Sequence, residues 1–209
     1  MFYFIRAPWW LKKLYSRRVW EFPSREKILY LSFDDGPHPE ITPFVLDELK
    51  KYKARATFFC IGKNVQAYPQ VYKRILTEGH RVGNHSYDHL NGWKTSDKNY
   101  IANIGKAALY IDSDLFRPPY GRITAWQAKC LMESPAKYKI IMWEVLSADF
   151  DQRLSPDKCA RNVTRNAGSG SIVVFHDSEK AFSRLREALP VVLGHFAKLG
   201  YRFESIKSQ

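Results

Sequence analysis

Four side chains that can bind a metal stand in two short motifs of the sequence. Asp34 and Asp35 are adjacent in SFDDGPH, and His85 and His89 are separated by three residues in HSYDH. A carboxylate and two imidazoles form a suitable ligand set for zinc or a similar divalent ion, and three protein ligands leave one position for water. Either motif alone is a weak signal, so their combination has to be judged from where they lie in the fold.

Two adjacent aspartates can divide the work of a hydrolytic reaction. One can bind the metal, while the other stays free to accept a proton from water that the metal has made more acidic. Two uncompensated carboxylates side by side would repel each other, so nearby positive charge is expected. The metal and Arg117 could supply it.

Short apolar runs alternate with helical patterns from residue 28 to the C-terminus, which indicates parallel strands with helices outside. This alternation predicts an α/β fold, a distorted and incomplete (β/α) barrel with about seven parallel strands. An open doubly wound sheet is the alternative, since periodicity does not distinguish the two. The predicted helices are 43–52, 69–78, 97–111, 123–132, one capped by Ser155, and 183–199; the predicted strands are 28–33, 56–61, 80–84, 115–116, 139–145, 171–175 and 201–206.

The polar residues of interest directly follow predicted strands. Asp34 follows the first strand, His85 the third, Arg117 the short fourth, Asp149 the fifth and His176 the sixth. Active sites of such folds lie at the C-terminal ends of the strands, so we expect these side chains to meet in one place.

Four ordered motifs closely resemble the polysaccharide deacetylase family. They are SFDDGPH (32–38), HSYDH (85–89), RPPYG (117–121) and VFHD (174–177). This is carbohydrate esterase family 4, with the NodB-homology domain, which contains chitin and peptidoglycan N-acetylglucosamine deacetylases. The resemblance runs from about residue 28 to the C-terminus, and it implies a distorted barrel with fewer or less regular units than an eightfold one.

The resemblance implies a role for each residue at a motif position. It implies one divalent metal, zinc first, with cobalt, manganese or nickel as further candidates. The implied roles are Asp34 as base, His176 as acid, Arg117 and Asp149 as the residues that orient them, the Tyr120 backbone N–H as oxyanion donor, Asp35, His85 and His89 as metal ligands, and Phe150, Val174 and Pro118 as lining of the substrate pocket.

Two positions depart from the family pattern. Phe150 stands where the family usually has Trp, and Val174 where it usually has Leu. Both keep an apolar wall and could widen the pocket for the acyl group. Trp93, just after the second motif, could stack on a sugar ring, and Asp177 is expected to cap the helix that follows it.

The implied reaction is removal of N-acetyl groups from N-acetylglucosamine-type sugars of a polysaccharide, either peptidoglycan or a chitin-like oligomer. Two alternatives stay open at this point. One is deacylation of a lipid-linked or membrane-associated amino sugar. The other is a catalytically inactive relative that binds carbohydrate.

The first 25 residues differ from the rest in composition. They combine aromatic residues with four Lys and Arg residues between positions 12 and 18. We therefore divide the chain into an N-terminal basic aromatic arm (1–25) and a catalytic domain (26–209). The arm could lie on an anionic membrane surface, or pack on the domain through Trp9, Trp10 and Trp20.

The charge balance of the 209-residue chain is strongly basic, with 33 Lys and Arg against 21 Asp and Glu and a formal net charge of +12. These residues are scattered, so we predict no specific nucleic-acid partner and allow peripheral contact with an anionic membrane or cell wall. No signal peptide or membrane span is recognisable, which favours a cytoplasmic or membrane-peripheral location. A monomer is favoured, and three cysteines without C-x-x-C spacing argue against a disulfide framework.

Overall fold

The computed structural model describes residues 3–207. None of the helices in that range is long and apolar enough to span a membrane. The strands are β1 (Ile28–Asp34), β2 (Thr57–Cys60), β3 (Arg81–Asn84), β4 (Leu115–Phe116), β5 (Lys139–Ile140), β6 (Val145–Leu146), β7 (Ile172–His176) and β8 (Arg202–Phe203). The helices are α1 (Trp9–Leu14), α2 (Ile41–Lys51), α3 (Gly62–Ala67), α4 (Pro69–Thr77), α5 (Asp97–Ala108), α6 (Ala125–Glu133), α7 (Pro156–Thr164) and α8 (Glu179–Lys198), with a 3₁₀ turn at Pro119–Gly121.

Seven strands form one curled parallel sheet in the order β5-β4-β3-β2-β1-β7-β6. The short β8 pairs in parallel with the beginning of β1. The curled sheet with its helices is an incomplete (β/α) barrel, so the predicted fold class is confirmed. The alternative, an open doubly wound sheet, is not the fold of this chain.

Apolar and polar side chains alternate along the central strands, which separates the apolar core from the polar face that carries the site. Phe33 of β1 stacks between Phe58 of β2 and Phe175 of β7, with ring centroids 5.1 and 6.1 Å apart. Because successive side chains of a strand point to opposite faces, Asp34 and His176 point to the face opposite these rings. The two residues are register partners on neighbouring strands.

The predicted single strand at 139–145 is wrong. It is two short strands at opposite ends of the sheet, and residues 141–144 cross between them. The crossing pairs with the N-terminal arm, since the N–H of Met142 donates to the carbonyl of Val19 at 2.7 Å and the N–H of Ala7 donates to the carbonyl of Glu144 at 2.8 Å. The main-chain groups of this crossing therefore find partners both in the arm and in the strands beside it, where the N–H of Ile141 donates to Phe116 and that of Glu144 to Ile172.

Smaller differences concern helix ends and short helices. The last helix begins at Glu179, four residues before its predicted start, and buries Ala181 and Leu185. The helix predicted at 97–111 ends at Ala108, and it buries Tyr100, Ile104 and Ala107. Two helices, α1 and α3, were not predicted, because six residues are too few to show a clear period.

The arm contacts the barrel through some of its aromatic residues only. Trp20 is buried in an apolar cluster, and Leu11 and Tyr15 pack against the same cluster. Trp9 and Trp10 are exposed. The prediction that the arm packs on the domain is therefore correct for Trp20 and wrong for Trp9 and Trp10. The boundary between arm and domain at residue 25 stays a prediction.

A buried carboxylate fastens the arm to the crossing segment. Glu144 accepts hydrogen bonds from the Arg6 guanidinium at 2.8 and 3.1 Å, from Lys12 Nζ at 3.1 Å and from Ser171 Oγ at 2.6 Å. Burial raises the pKa of Glu144, but these donors outweigh burial and lower it to about 2. The lowered pKa means that the folded state favours the ionised form.

We predict that Glu144→Gln lowers the free energy of unfolding at pH 7 by about 1–3 kcal/mol. The folded pKa lies below the ordinary 4.5, so the ionic stabilisation is complete above that value and is lost as the pH falls from 4.5 towards 2. Urea denaturation at pH 7 and at low pH measures this. The difference between wild type and variant should shrink in acid.

The matched control is Glu26→Gln, which removes an ion pair with Arg202 whose side chains are both mostly exposed. We expect a change within about 0.5 kcal/mol, as for other exposed ion pairs. Equal losses for the two variants, or a Glu144→Gln loss independent of pH, would contradict the role of Glu144 as an ionised anchor.

Candidate active site

Asp34 lies at the end of β1 and is held by a buried arginine. Its side chain is almost fully buried, and its Oδ1 accepts a hydrogen bond from Arg117 Nη1 at 2.6 Å. The same nitrogen donates to Ser32 Oγ at 2.8 Å, two residues earlier on the same face of β1. One oxygen of Asp34 is thereby fixed, and Oδ2 remains for other chemistry.

Arg117 is fully buried at the end of β4 and is satisfied on all sides. Its Nη2 donates to the carbonyl of Met142 at 2.9 Å and its Nε to that of Ile141 at 3.3 Å. The guanidinium lies over the Phe59 ring, 4.0 Å from the ring centroid. This enclosure leaves the arginine a single position relative to Asp34.

Asp35, His85 and His89 bring three ligand atoms together. Asp35 Oδ1 lies 3.2 Å from His89 Nε2 and 3.8 Å from His85 Nε2, and all three atoms lie within 4.8 Å of one another. Ligands about 2.1 Å from one tetrahedral ion would lie roughly 3.4 Å apart. Asp35 Oδ1 is also buried and accepts no hydrogen bond from the residues that the structure describes. The three residues therefore fit a divalent metal.

The two histidines are poised in the neutral form that metal binding needs. The Nδ1 of His85 lies 2.7 Å from the carbonyl of Arg117, so Nδ1 carries the proton and Nε2 offers its lone pair towards Asp35. Burial, followed by the charge of His89, lowers the pKa of His85 to about 3. Burial also lowers the pKa of His89.

His176, at the end of β7, is paired with a buried carboxylate. Its Nδ1 lies 2.7 Å from Asp149 Oδ1, and its backbone N–H donates to Asp149 Oδ2 at 2.8 Å. Burial by itself lowers the pKa of His176, but the charge and hydrogen bond of Asp149 outweigh burial and raise the pKa to about 9. The imidazole is therefore protonated at neutral pH, unlike the two histidines of the ligand cluster.

The Asp-Asp-Gly turn is supported from below by Asp177. Its Oδ1 accepts the Gly36 N–H at 3.1 Å, and its Oδ2 accepts the hydroxyl of Thr42. The expectation that Asp177 caps α8 is wrong, because the cap position is Ser178. Burial raises the pKa of Asp177 to about 8.

The residues assigned to the pocket lie around the charged groups at different depths. The ring of Tyr120 packs on His89 with 4.6 Å between centroids, and the ring of Phe150 meets His176 edge-on at 5.3 Å. Val174 is buried and packs with Phe150 in one apolar cluster, so it forms a deep wall.

Pro118 and Trp93 occupy opposite extremes of exposure. Pro118 is buried between Arg117 and the 3₁₀ turn. Trp93 is mostly exposed, and its indole N–H donates to the carbonyl of Ile123 at 3.3 Å. Trp93 therefore lies against the loop that carries Tyr120, outside the buried centre.

Sequence reasoning gave Asp177 the wrong role and missed two further residues that shape the site. Trp143 packs close against Gly121. The hydroxyl of Tyr3 donates to Asp151 at 2.6 Å, and its ring meets Phe150 at 5.3 Å. Their partners are distant in the sequence. The one available signal was Asp177 itself, a carboxylate directly after a buried strand.

The arrangement can therefore combine acid, base and metal chemistry in one place. Asp34 and His176 are paired in register across neighbouring strands, with Asp35 directly after Asp34. One is a carboxylate with a free oxygen, and the other is a protonated imidazole. Such a pair is suited to hydrolysis of a bond whose leaving group needs a proton.

Comparisons with known proteins agree on one family. The sequence profile of the polysaccharide deacetylase family matches residues 22–133. A peptidoglycan-N-acetylglucosamine deacetylase of Bacillus cereus is 38% identical over 194 residues, which cover 90% of each chain. The peptidoglycan-N-acetylmuramic acid deacetylase PdaC of Bacillus subtilis is 37% identical over 158 residues, 73% of this chain and 32% of that protein.

Solved structures give the same result in three dimensions. The peptidoglycan N-acetylglucosamine deacetylase Bc1960, crystallised with a substituted benzamide, has a TM-score of 0.87 at 30% identity, covering 96% of this chain and 95% of its own. BA3943 of Bacillus anthracis, a CE4 family pseudoenzyme, has a TM-score of 0.77 at 26% identity, covering 90% of this chain and 67% of its own. With the profile and the closely matching sequences, these similarities show that the chain belongs to the polysaccharide deacetylase family and is a polysaccharide N-deacetylase.

Proposed function

We propose that the protein removes the acetyl group from N-acetylglucosamine residues of peptidoglycan, using Asp34 as base and His176 as acid. The observation that carries this is the pairing of these two residues in register beside the ligand cluster. The substrate is supported by the similarity to the Bacillus cereus deacetylase, which covers 90% of each chain. A chitin-like oligomer is the second substrate to test.

Asp35, His85 and His89 would hold one divalent metal, for which zinc is the first candidate because the ligands are one oxygen and two nitrogens. When bound, such an ion supplies Lewis acidity that makes water more acidic and stabilises negative charge on an oxygen. The hydrogen bond from His85 Nδ1 to the Arg117 carbonyl fixes the tautomer in which Nε2 is free to bind the ion.

Asp34 accepts the proton of the attacking water in the proposed reaction. Arg117 holds Oδ1 at 2.6 Å, so Oδ2 is the atom that takes the proton. As the water oxygen bonds to the carbonyl carbon of the amide, the π electrons of the C=O bond move onto the carbonyl oxygen. The backbone N–H of Tyr120 is the proposed donor to that oxygen, beside the His89 ring on which Tyr120 packs.

His176 donates its proton to the nitrogen of the amide as the C–N bond breaks. An amine leaves poorly unless it is protonated, so an imidazolium at this point is required. Asp149 keeps the imidazole charged and oriented through its 2.7 Å contact with Nδ1, which leaves Nε2 to face the substrate. Acetate and the free amino sugar are the products.

The acetyl methyl is proposed to lie against Phe150 and the apolar cluster that contains Val174. Pro118 would help to line this pocket, and Trp93 is the proposed stacking residue for a sugar ring. The inactive alternative has less support, although one structural relative is a pseudoenzyme, because this chain keeps base, acid and all three ligand residues.

We predict that the metal-stripped protein releases no acetate from peptidoglycan or N-acetylglucosamine oligomers, and that zinc or cobalt restores release. Acetate is measured after each metal is added back. Undiminished release after complete removal of metal would contradict the proposed cofactor. Absence of release with metal demonstrably bound would contradict the proposed substrates.

We predict that Asp34→Asn retains metal but lowers kcat by about 10²- to 10⁴-fold, because an amide cannot accept the proton. His85→Ala should lose both metal and turnover, since it removes a ligand. Metal content and acetate release are measured on the same samples.

The matched controls for these two variants are Asp47→Asn and His195→Ala, which change exposed residues of α2 and α8. Both should keep near-normal metal content and kcat. Near-normal turnover of Asp34→Asn would show that another residue is the base.

We predict that kcat falls as the pH rises through about 9, because His176 then loses its proton. Asp149→Asn removes the charge that raises this pKa, so the basic limb should move to lower pH and kcat at pH 8 should fall by at least tenfold. The measurement is kcat against pH with metal loaded. Asp157→Asn, on the exposed start of α7, should leave the limb in place, and an unmoved limb in Asp149→Asn would exclude His176 as the titrating acid.

A further inference from the structure

The N-terminal arm presents large apolar side chains to solvent. Four are exposed by two fifths or more of their surface: Trp9 (74%), Leu14 (66%), Trp10 (48%) and Phe4 (41%). Phe4 and Trp10 are in contact, with ring centroids 6.3 Å apart and the rings nearly perpendicular. We call these four residues the arm patch. Monomeric soluble proteins rarely expose several large apolar residues together, and such a patch commonly marks an interaction surface.

Helix α1 holds most of the arm patch on its outer side. Leu11 packs inward against the apolar cluster that contains Trp20. Residues four apart lie on one side of a helix, so Trp10 and Leu14 form one row and Trp9 and Lys13 form the next. None of the residues of α1 is buried. The outer side therefore mixes tryptophan, leucine and a cation.

The cations beside the arm patch are free to meet a negative partner. Lys13 and Arg17 are exposed, and neither has a carboxylate within 4.0 Å in residues 3–207. Lys12 is different, because it pairs with Glu21 and Glu144 and faces the barrel. Lys13 and Arg17 thus remain uncompensated beside the patch, while the charge of Lys12, which fastens the arm, is neutralised by Glu21 and Glu144.

The arm is held in place before any partner binds. Glu144 fixes Arg6 and Lys12, and the indole N–H of Trp20 donates to the carbonyl of Tyr15 at 3.3 Å. A fixed platform does not lose the conformational freedom that an unfolded segment would lose on binding. The patch is therefore a preformed surface.

We propose that the arm patch docks on an anionic lipid surface, with the tryptophans and Leu14 inserted at the headgroup level and Lys13 and Arg17 on the lipid phosphates. Tryptophan favours the membrane–water interface, and a negative leaflet attracts Lys and Arg. A second copy of this chain is a poorer occupant, because two identical patches would bring their cations together. A glycan chain offers no apolar layer in which Leu14 could be buried.

The beginning of the arm adjoins the pocket wall of the site. Phe4 lies between Tyr3 and Ile5, and both of these pack in the cluster that contains Val174 and Phe150. Docking through the patch would hold the enzyme on a lipid surface. The enzyme would then work on glycan close to a membrane, which goes beyond the reaction itself.

The test is sedimentation of the full chain with vesicles of phosphatidylglycerol and phosphatidylcholine, compared with phosphatidylcholine alone. Binding to the anionic vesicles is expected, weaker at high salt. The triple variant Trp9→Ser, Trp10→Ser, Leu14→Ser should lose at least about tenfold in partitioning. Trp126→Ser with Leu109→Ser, two exposed apolar residues elsewhere, is the control and should bind like wild type.

The charge contribution has its own matched pair. Lys13→Glu with Arg17→Glu should lower partitioning onto anionic vesicles by about tenfold or more, whereas Lys50→Glu with Lys73→Glu, which changes net charge equally at exposed sites away from the arm, should lower it far less. Acetate release from a soluble oligomer should be the same in all variants. That readout reports on the proposed reaction separately from docking.

Three outcomes would overturn the proposal. The first is no binding to anionic vesicles, or equal binding by the triple variant and its control. The second is a dimer in analytical ultracentrifugation that the triple variant dissociates, which would assign the patch to a second copy. The third is a loss of affinity for soluble glycan in the triple variant with vesicle binding unchanged, which would make the patch a sugar platform.

Discussion

Arg117 and Asp34 form a buried ion pair on which the other parts of the site depend. The guanidinium is fully buried, and besides Asp34 it binds Ser32 and the carbonyls of Ile141 and Met142. One side chain thus joins β1 to the crossing segment. Removing one partner of a buried pair typically costs 3–5 kcal/mol, because the other charge is left unpaired. A change at Asp34 is therefore also expected to destabilise the packing of Arg117 against the crossing segment.

The backbone of the same arginine reaches the metal ligands. Its carbonyl accepts the Nδ1 proton of His85, so the position of β4 sets which nitrogen of that histidine is available. The acid is arranged by an equivalent device, in which Asp149 binds both the ring and the backbone N–H of His176. The surroundings thus favour the neutral form of His85 and His89 and the protonated form of His176. Burial lowers the pKa of His85 and His89, whereas at His176 burial is outweighed by the charge and hydrogen bond of Asp149 together with the charges of Asp35 and Asp34.

Much of the barrel and the motif residues could be predicted from the sequence. Strand alternation fixes which side of β1 and β7 carries polar residues, so Asp34 and His176 follow from local periodicity and register. The arm's role in the sheet could not be predicted in this way. The bond between Arg6 and Glu144 joins residues 138 positions apart, and that between Gly36 and Asp177 joins residues 141 apart. Glu144 did carry a signal, since a charge inside an apolar run requires a partner, but the sequence does not say which partner.

Backbone strain is concentrated where the site is built. Asp35, His89 and Tyr120 have positive φ angles of 82°, 57° and 59°, a conformation that costs a non-glycine residue on the order of 1–3 kcal/mol. Such angles persist only where the surroundings over-determine them. At Asp35, the carbonyl accepts the Asn64 amide at 2.8 Å, and the next N–H is bound by Asp177.

Gly36 shows how closely this support fits the turn. A Cβ at this position would lie 2.1 Å from an oxygen of Asp177, so only glycine allows the carboxylate to approach the backbone there. A buried carboxylate is costly, and burial raises the pKa of Asp177 to about 8. Its position beneath the turn is explained if it holds Asp35 in its strained conformation. The chain's own hydrogen bonds then set the ligand geometry, so a metal would meet a preformed site and need not bend the backbone itself.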